Sequence, residues 1–174
     1  YNEVGCYGQE IIRTPNIDKL AEEGIRFTQF YSGSPVCAPS RCVLLTGRHT
    51  GHAYVRDHYE LGGYTDDTEG GQLPLLPGTR TLGSYLKSAG YVTGMMGKWG
   101  LGGPGSEGVP SRQGFDYFYG YLCQKQAHNY YPSHLWENER YDTLDNEFFM
   151  AHQRLQGDSL DPASYAGYTA SDYA

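Results

Sequence analysis

Apolar and polar positions change period several times along the chain, and each change marks an element. Thr14-Pro15-Asn16-Ile17-Asp18-Lys19-Leu20-Ala21-Glu22-Glu23-Gly24 puts Ile17, Leu20 and Ala21 on one stripe at helical spacing. Thr14 suits the N-cap of that helix, Pro15 its first position and Gly24 its stop. Residues 25–31 then alternate apolar and polar, the period of a strand. The run Val36-Cys37-Ala38-Pro39-Ser40-Arg41-Cys42-Val43-Leu44-Leu45-Thr46-Gly47 reads as a second helix. Pro39 suits a first helical position, Val43, Leu44 and Leu45 are expected to be buried, and Gly47 ends it.

Residues 48–78 are rich in Gly, His and Asp, show no period and read as a long loop. Loops of that length in compact domains often carry function. Thr81-Leu82-Gly83-Ser84-Tyr85-Leu86-Lys87-Ser88-Ala89-Gly90 predicts another helix with a glycine stop. Residues 91–96 predict a strand running into Gly97-Lys98-Trp99-Gly100. Helix leads to strand twice, which implies an α/β domain with a largely parallel sheet. Ligands bind beyond the carboxyl ends of such strands. Cys37 and Lys98 each follow a predicted strand and could reach one crevice. Beyond Gly102 periodicity fades, apart from a short strand in Phe115-Asp116-Tyr117-Phe118-Tyr119-Gly120-Tyr121. No internal repeat or linker is visible, so the chain reads as part of one domain.

Composition narrows the classes. With 174 residues, 39% apolar and 19% charged, the chain can bury a core and is globular, not disordered. Its 24 Gly imply many turns, and its 17 Tyr suit either a cleft for polar substrates or packed loops. A net charge of −7 disfavours a nucleic-acid binder but leaves room for a local basic pocket. No apolar run is long enough to span a membrane. The start at Tyr1, without a visible signal peptide, and the end in Ser-Asp-Tyr-Ala read as a fragment of a longer protein. Cys6, Cys37, Cys42 and Cys123 lack paired metal-ligand spacing and are too few for a disulfide scaffold.

A cysteine at a helix start meets free N–H groups and a partial positive charge, which favour its thiolate. Arg41, one turn on, can lean over the same end. Together they make an anion site containing a nucleophile. The plainer alternative, a buried structural cysteine with a surface arginine, is the commoner fate of an isolated pair.

Cys37-x-Pro39-Ser40-Arg41 followed by Leu44-Leu45-Thr46-Gly47 resembles the sulfatase signature. Gly90-Tyr91-x-Thr93-Gly94-x-x-Gly97-Lys98-Trp99 resembles that family's second signature. The stretches TPNIDKLAEEGIRFTQFY and HTGHAYVRD through EGGQLPL also resemble sulfatases of the arylsulfatase type, so the likeness runs to about residue 135. It implies an alkaline-phosphatase-like α/β fold, a mixed, mostly parallel sheet flanked by helices. Residues 1–174 would be the N-terminal part of the catalytic domain, with the first strand and the C-terminal portion missing.

The resemblance also implies a mechanism. Cys37 is oxidised to formylglycine by a formylglycine-generating enzyme, for which Pro39 and Ser40 matter. The aldehyde hydrates to a diol. One diol oxygen attacks the sulfur of a sulfate ester and the alcohol leaves. The second hydroxyl then loses its proton, the aldehyde re-forms and sulfate departs, so one hard step becomes two easier ones. Cys37 would be nucleophile and metal ligand, Arg41 would orient the diol, and Lys98 would contact the sulfate. The family usually carries a histidine where this chain has Gly100, which opens the role of base. His128 is the catalytic candidate, His134 a base candidate and substrate contact, and His52 stands behind them. Ca2+ is the expected metal, with most ligands outside this segment. Asp66-Asp67 reads as a solvated turn. The expected substrate is a sulfated carbohydrate, with the stretch from Tyr117 to Trp136 as a candidate sugar-facing wall, and such enzymes are commonly exported. Open alternatives are a phosphodiester or phosphonate hydrolase of the same superfamily and a non-catalytic sulfated-glycan binder. A thiolate phosphatase needs a longer gap between Cys and Arg.

Overall fold

The structure, a computed structural model, describes residues 3–62, 68–128 and 132–146. These fall into two compact units, within Tyr1–Tyr31 and Ser32–Ala174.

The first unit holds a 3₁₀ turn, Gly5–Tyr7, and helix α1, Pro15–Glu23. The Thr14 side chain does not cap α1. Its hydroxyl accepts the Gly5 N–H at 2.8 Å and donates to Asp18 at 3.0 Å. Asp18, in the first turn of α1, also accepts the Cys6 N–H at 2.6 Å. A carboxylate there complements the helix dipole and ties the turn to the helix. The predicted apolar stripe is not covered, since Ile17 and Leu20 are exposed. Residues 25–31 form no strand, and Ile25, Phe27, Phe30 and Tyr31 are exposed. Alternation records which side a strand would bury, but a strand also needs a partner for its backbone groups, and none pairs with it among the described residues.

In the second unit, α2 spans Cys37–Thr46, α3 Leu82–Ser88, β1 Gly94–Lys98, β2 Tyr117–Tyr121, β3 His134–Glu137 and β4 Arg140–Thr143. Helix α2 ends as expected at Gly47, whose φ of 65° places its N–H on the Val43 carbonyl. Pro39 is the third helical residue, not the first; it costs no bond because the first four N–H groups have no intrahelical acceptor. Leu45 is buried, Val43 half-buried and Leu44 exposed. Three consecutive residues cannot share one face of a helix with 3.6 residues per turn. Helix α3 starts in a capping box between Thr81 and Ser84.

The sheet order is β1-β2-β3-β4. The β1–β2 pair is parallel, and β2–β3 and β3–β4 are antiparallel. The described strands are therefore mixed, with one parallel pairing where most were expected to be so. The reason is local: β3 and β4 are joined by the tight turn Asn138-Glu139, which reverses the chain. Asn138 has φ 56°, and its side chain accepts the Phe118 N–H at 2.9 Å while its own N–H donates to the Phe118 carbonyl at 2.8 Å. Strand β1 begins three residues later than its alternation predicts. Thr93 is occupied by Asp116, which accepts its N–H and hydroxyl at 3.0 and 3.1 Å.

The core lies between the sheet and α2. It includes Trp99, Phe118, Leu75, Leu101, Leu122 and Cys42. No described helix is long and apolar enough to cross a membrane.

Asp116 links α3 to the sheet. Its bond to Lys87 at 2.6 Å, followed by those from the Thr93 N–H and hydroxyl, holds its pKa at about 2, below the ordinary 3.8. A depressed carboxyl contributes stability that is present above the unfolded value and lost as pH falls through the folded one. Asp116→Asn should therefore lower Tm at pH 7, and the gap from wild type should close between about pH 4 and pH 2. A gap constant over that range would contradict the assignment.

Candidate active site

Helix α2 brings Cys37 to its first position, half-buried, behind the extended residue Val36. Arg41, one turn on, is the residue to which the rest of the site is fastened. Its Nε–H donates to the Trp99 carbonyl, and its Nη2 donates to Gln124 Oε1 at 2.6 Å. Burial pulls the guanidinium below its ordinary pKa, and the neighbouring Cys37 thiol partly offsets this.

Trp99 is fully buried, with its indole N–H on the Gly108 carbonyl at 2.8 Å and its rings edge-on to Phe115 and Phe118. A side chain fixed this firmly holds its own carbonyl still. Trp99 directly follows Lys98, the half-buried last residue of β1. Arg41 therefore joins the start of α2 to the carboxyl end of β1. That junction replaces the expected route to a shared crevice, in which Cys37 would have followed a strand that does not form.

The opposite wall is a chain of buried amides. Gln124 is 1% exposed, and its N–H donates to Gln72 Oε1 at 2.9 Å. Gln72 Nε2 in turn donates to Glu60 at 3.0 Å. Gly100 fits between these groups. Its φ is +67°, and a Cβ there would lie 2.7 Å from Arg41 Nη2 and 2.8 Å from Gln124 Oε1. The guanidinium–amide pair thus fills the space a side chain at position 100 would need, which accounts for glycine where the resemblance expects histidine.

The histidines separate clearly. His128 is exposed at the end of the 3₁₀ turn Gln126–His128. His52 is exposed in the long loop. His134, on β3, is 3% exposed, with Nε2 3.1 Å from Glu69 Oε2. The same carboxylate accepts the Trp136 indole N–H at 3.0 Å and the Cys123 N–H at 3.1 Å. Trp136 is therefore no sugar-facing wall: it is 6% exposed and packs on Tyr141 at 4.4 Å between ring centroids. Tyr130, Tyr131, Asp66, Asp67 and His152 lie outside the described residues.

Two contributors escaped the sequence reading. His58 Nε2 accepts the Ala38 N–H at 3.4 Å, one residue from Cys37. Gln124 carries no motif at all. Only its apolar setting, in a run of buried residues, hints that its amide must find a partner indoors. Among the described residues no group of three or more His, Cys, Asp and Glu side chains could hold a metal ion, so Cys37 alone of the expected calcium ligands is placed here.

A cationic guanidinium beside a thiol at a helix start is an arrangement that can attract an anion. Comparison with known proteins identifies the family. A profile of the Sulfatase family matches residues 1–163. Rat (Rattus norvegicus) steryl-sulfatase is 41% identical over 123 residues, 68% of this chain and 21% of that protein. Human (Homo sapiens) arylsulfatase A is 45% identical over 121 residues, 69% of this chain and 22% of that protein. The chain thus spans about a fifth of the length of these relatives. Among solved structures, that of BT4656 in complex with its substrate D-glucosamine-2-N,6-O-disulfate superposes with a TM-score of 0.56 at 33% identity. The match covers 81% of this chain and 24% of that one.

Gly100→Ala tests the packing around Arg41. The left-handed backbone should cost about 1–3 kcal/mol, read by denaturant unfolding. The methyl group should also displace Arg41 or Gln124 from their bond, read as a shift of the Gln124 side-chain amide resonances. An alanine variant equal to wild type in both would refute the tight fit.

Proposed function

The chain belongs to the sulfatase family, and on that premise we propose that the protein hydrolyses sulfate esters, with a sulfated carbohydrate as substrate. The observation that carries this reading is the Arg41 bond to the Trp99 carbonyl, which draws Cys37 and the strand end bearing Lys98 together around one cation. The sulfated glucosamine that is the substrate of BT4656 favours a sugar ester.

In this reading residue 37 is matured to formylglycine by a formylglycine-generating enzyme, and the hydrated aldehyde supplies an oxygen nucleophile. The side chains of the chain supply the rest. Arg41 and the positive end of the α2 dipole stabilise negative charge at residue 37 and orient it. Lys98 binds the sulfate oxygens and neutralises the charge that grows there in the transition state. For the proton acceptor, His128 is the candidate from sequence; His58 lies nearby, with its Nε2 accepting the Ala38 N–H. His134, engaged with Glu69, holds the wall and leaves sulfate contact to Lys98. Calcium, which the family implies, would take residue 37 as one ligand and would supply positive charge beside it.

The test is peptide mass spectrometry of residue 37 from a host with the maturing enzyme, alongside rates on sulfate and phosphate esters of one aryl alcohol. An aldehyde at 37 and preference for sulfate are expected. Lys98→Ala should lower kcat by roughly 10²–10³-fold, the scale of losing one preorganised charge contact. A persistent thiol would overturn the mechanism, a preference for phosphate would favour the phosphoester reading, and a matured protein that binds sulfated glycan without turnover would make it a binder.

A further inference from the structure

We propose that Gln124 is a positioning residue for this chemistry: its buried amide oxygen fixes the Arg41 guanidinium beside Cys37, in space that Gly100 leaves open. The proposal rests on the reading of Cys37 and Arg41 given above.

Four observations carry it. Gln124 is 1% exposed, so its amide must be satisfied inside the protein. Its Oε1 lies 2.6 Å from Arg41 Nη2, a short, charge-assisted bond. Its own backbone is held by Gln72, which is held by Glu60, so the acceptor is fixed before any substrate arrives. Finally, a Cβ on Gly100 would come within 2.8 Å of Oε1 and 2.7 Å of Nη2, so the bond occupies a space that a larger residue would invade.

The geometry assigns a role that charge alone does not fill. Arg41 is gripped at Nε by the Trp99 carbonyl and at Nη2 by Gln124. Two grips on a planar group fix its plane, and the remaining donors then point in set directions. Without Gln124 the guanidinium keeps its charge and its contacts to the Trp99 carbonyl and Cys37, but loses the acceptor that fixes its Nη2. Binding of an anion would survive, whereas alignment at residue 37 would not.

The experiment uses the full-length matured protein, with formylglycine content measured for each variant and rates scaled to it. Gln124→Met keeps the size and removes the acceptor; Gln124→Glu keeps both and adds a negative charge. Gln124→Met should lower kcat by about 10–100-fold with KM within about threefold, the signature of lost orientation. Gln124→Glu should keep kcat within about fivefold of wild type and raise KM, because the grip survives while the charge offered to the anion falls. In an Arg41→Lys background, Gln124→Met should add less than about threefold, because both changes remove one interaction. Wild-type kcat in Gln124→Met, equal loss of kcat in Met and Glu, or multiplying effects with Arg41→Lys would each overturn the proposal. If Gln124→Met does not fold, Gln124→Asn, which withdraws the acceptor by one methylene, takes its place under the same criteria. A wild type carrying the aldehyde yet inert to sulfate esters would overturn the enzyme reading and this proposal together. An active wild type indifferent to Gln124→Met would overturn this proposal alone.

Discussion

The site depends on one half-buried cation held by neutral acceptors. The Arg41 guanidinium meets a carbonyl oxygen and an amide oxygen, and no carboxylate is among the partners that hold it. The distinction has consequences. A carboxylate partner would cancel the charge and turn the pair into a structural ion bridge. Neutral acceptors satisfy the donors and leave the positive charge for an incoming anion. Burial lowers the Arg41 pKa, but arginine starts so high that it stays protonated where lysine or histidine in the same place would be tempted to lose its proton. The start of α2 contributes a partial charge of the same sign at the same place.

Holding a cation this way requires rigid acceptors, and the surrounding core provides them. Trp99 is locked by its indole bond and by two edge-on rings, so the carbonyl that accepts from Arg41 is fixed by packing. Residues 99 and 100 continue the ladder beyond β1, donating to Tyr121 and Leu122. The opposing pair Gly97 and Gly120 lets these segments approach closely, since a Cβ on Gly120 would lie 2.1 Å from the Gly97 oxygen. The two signature segments, 58 positions apart, are thereby brought to one junction.

Much of this was legible in the sequence, for identifiable reasons. The spacing of Cys37 and Arg41 is one helical turn, and a helix can be read locally. Gly47 and the Gly97-Lys98-Trp99 run were readable because caps and glycine turns act over a few residues. What was not legible depends on partners far along the chain. The alternation of residues 25–31 could not say that no described strand pairs with it. Trp136 has the composition of a sugar-binding wall, and only the fold shows that Glu69, 67 positions away, claims its indole. His58 and Gln124 belong to no pattern, because their roles come from the Ala38 amide and from Arg41, 20 and 83 positions away.

The chain carries a net charge of −7, yet it presents a cationic corner. Two acids close to that corner show how. Glu69 is spent on three donors from Cys123, His134 and Trp136, and Glu60 on Gln72 and Lys125. Glu60 is tied to Gln72, whose side chain holds the Gln124 backbone, and Glu69 is tied to the adjoining Cys123 amide. A carboxylate that already accepts several hydrogen bonds has little left to offer a guanidinium, and its field is offset locally by the donors around it. The glutamines transmit position from Glu60 to the arginine without transmitting charge. Replacing either amide by a hydrophobic residue would break the mechanical link, while a net negative group reaching Arg41 would keep the link and weaken the cation's hold on an anion. A neutral acceptor such as an amide does neither.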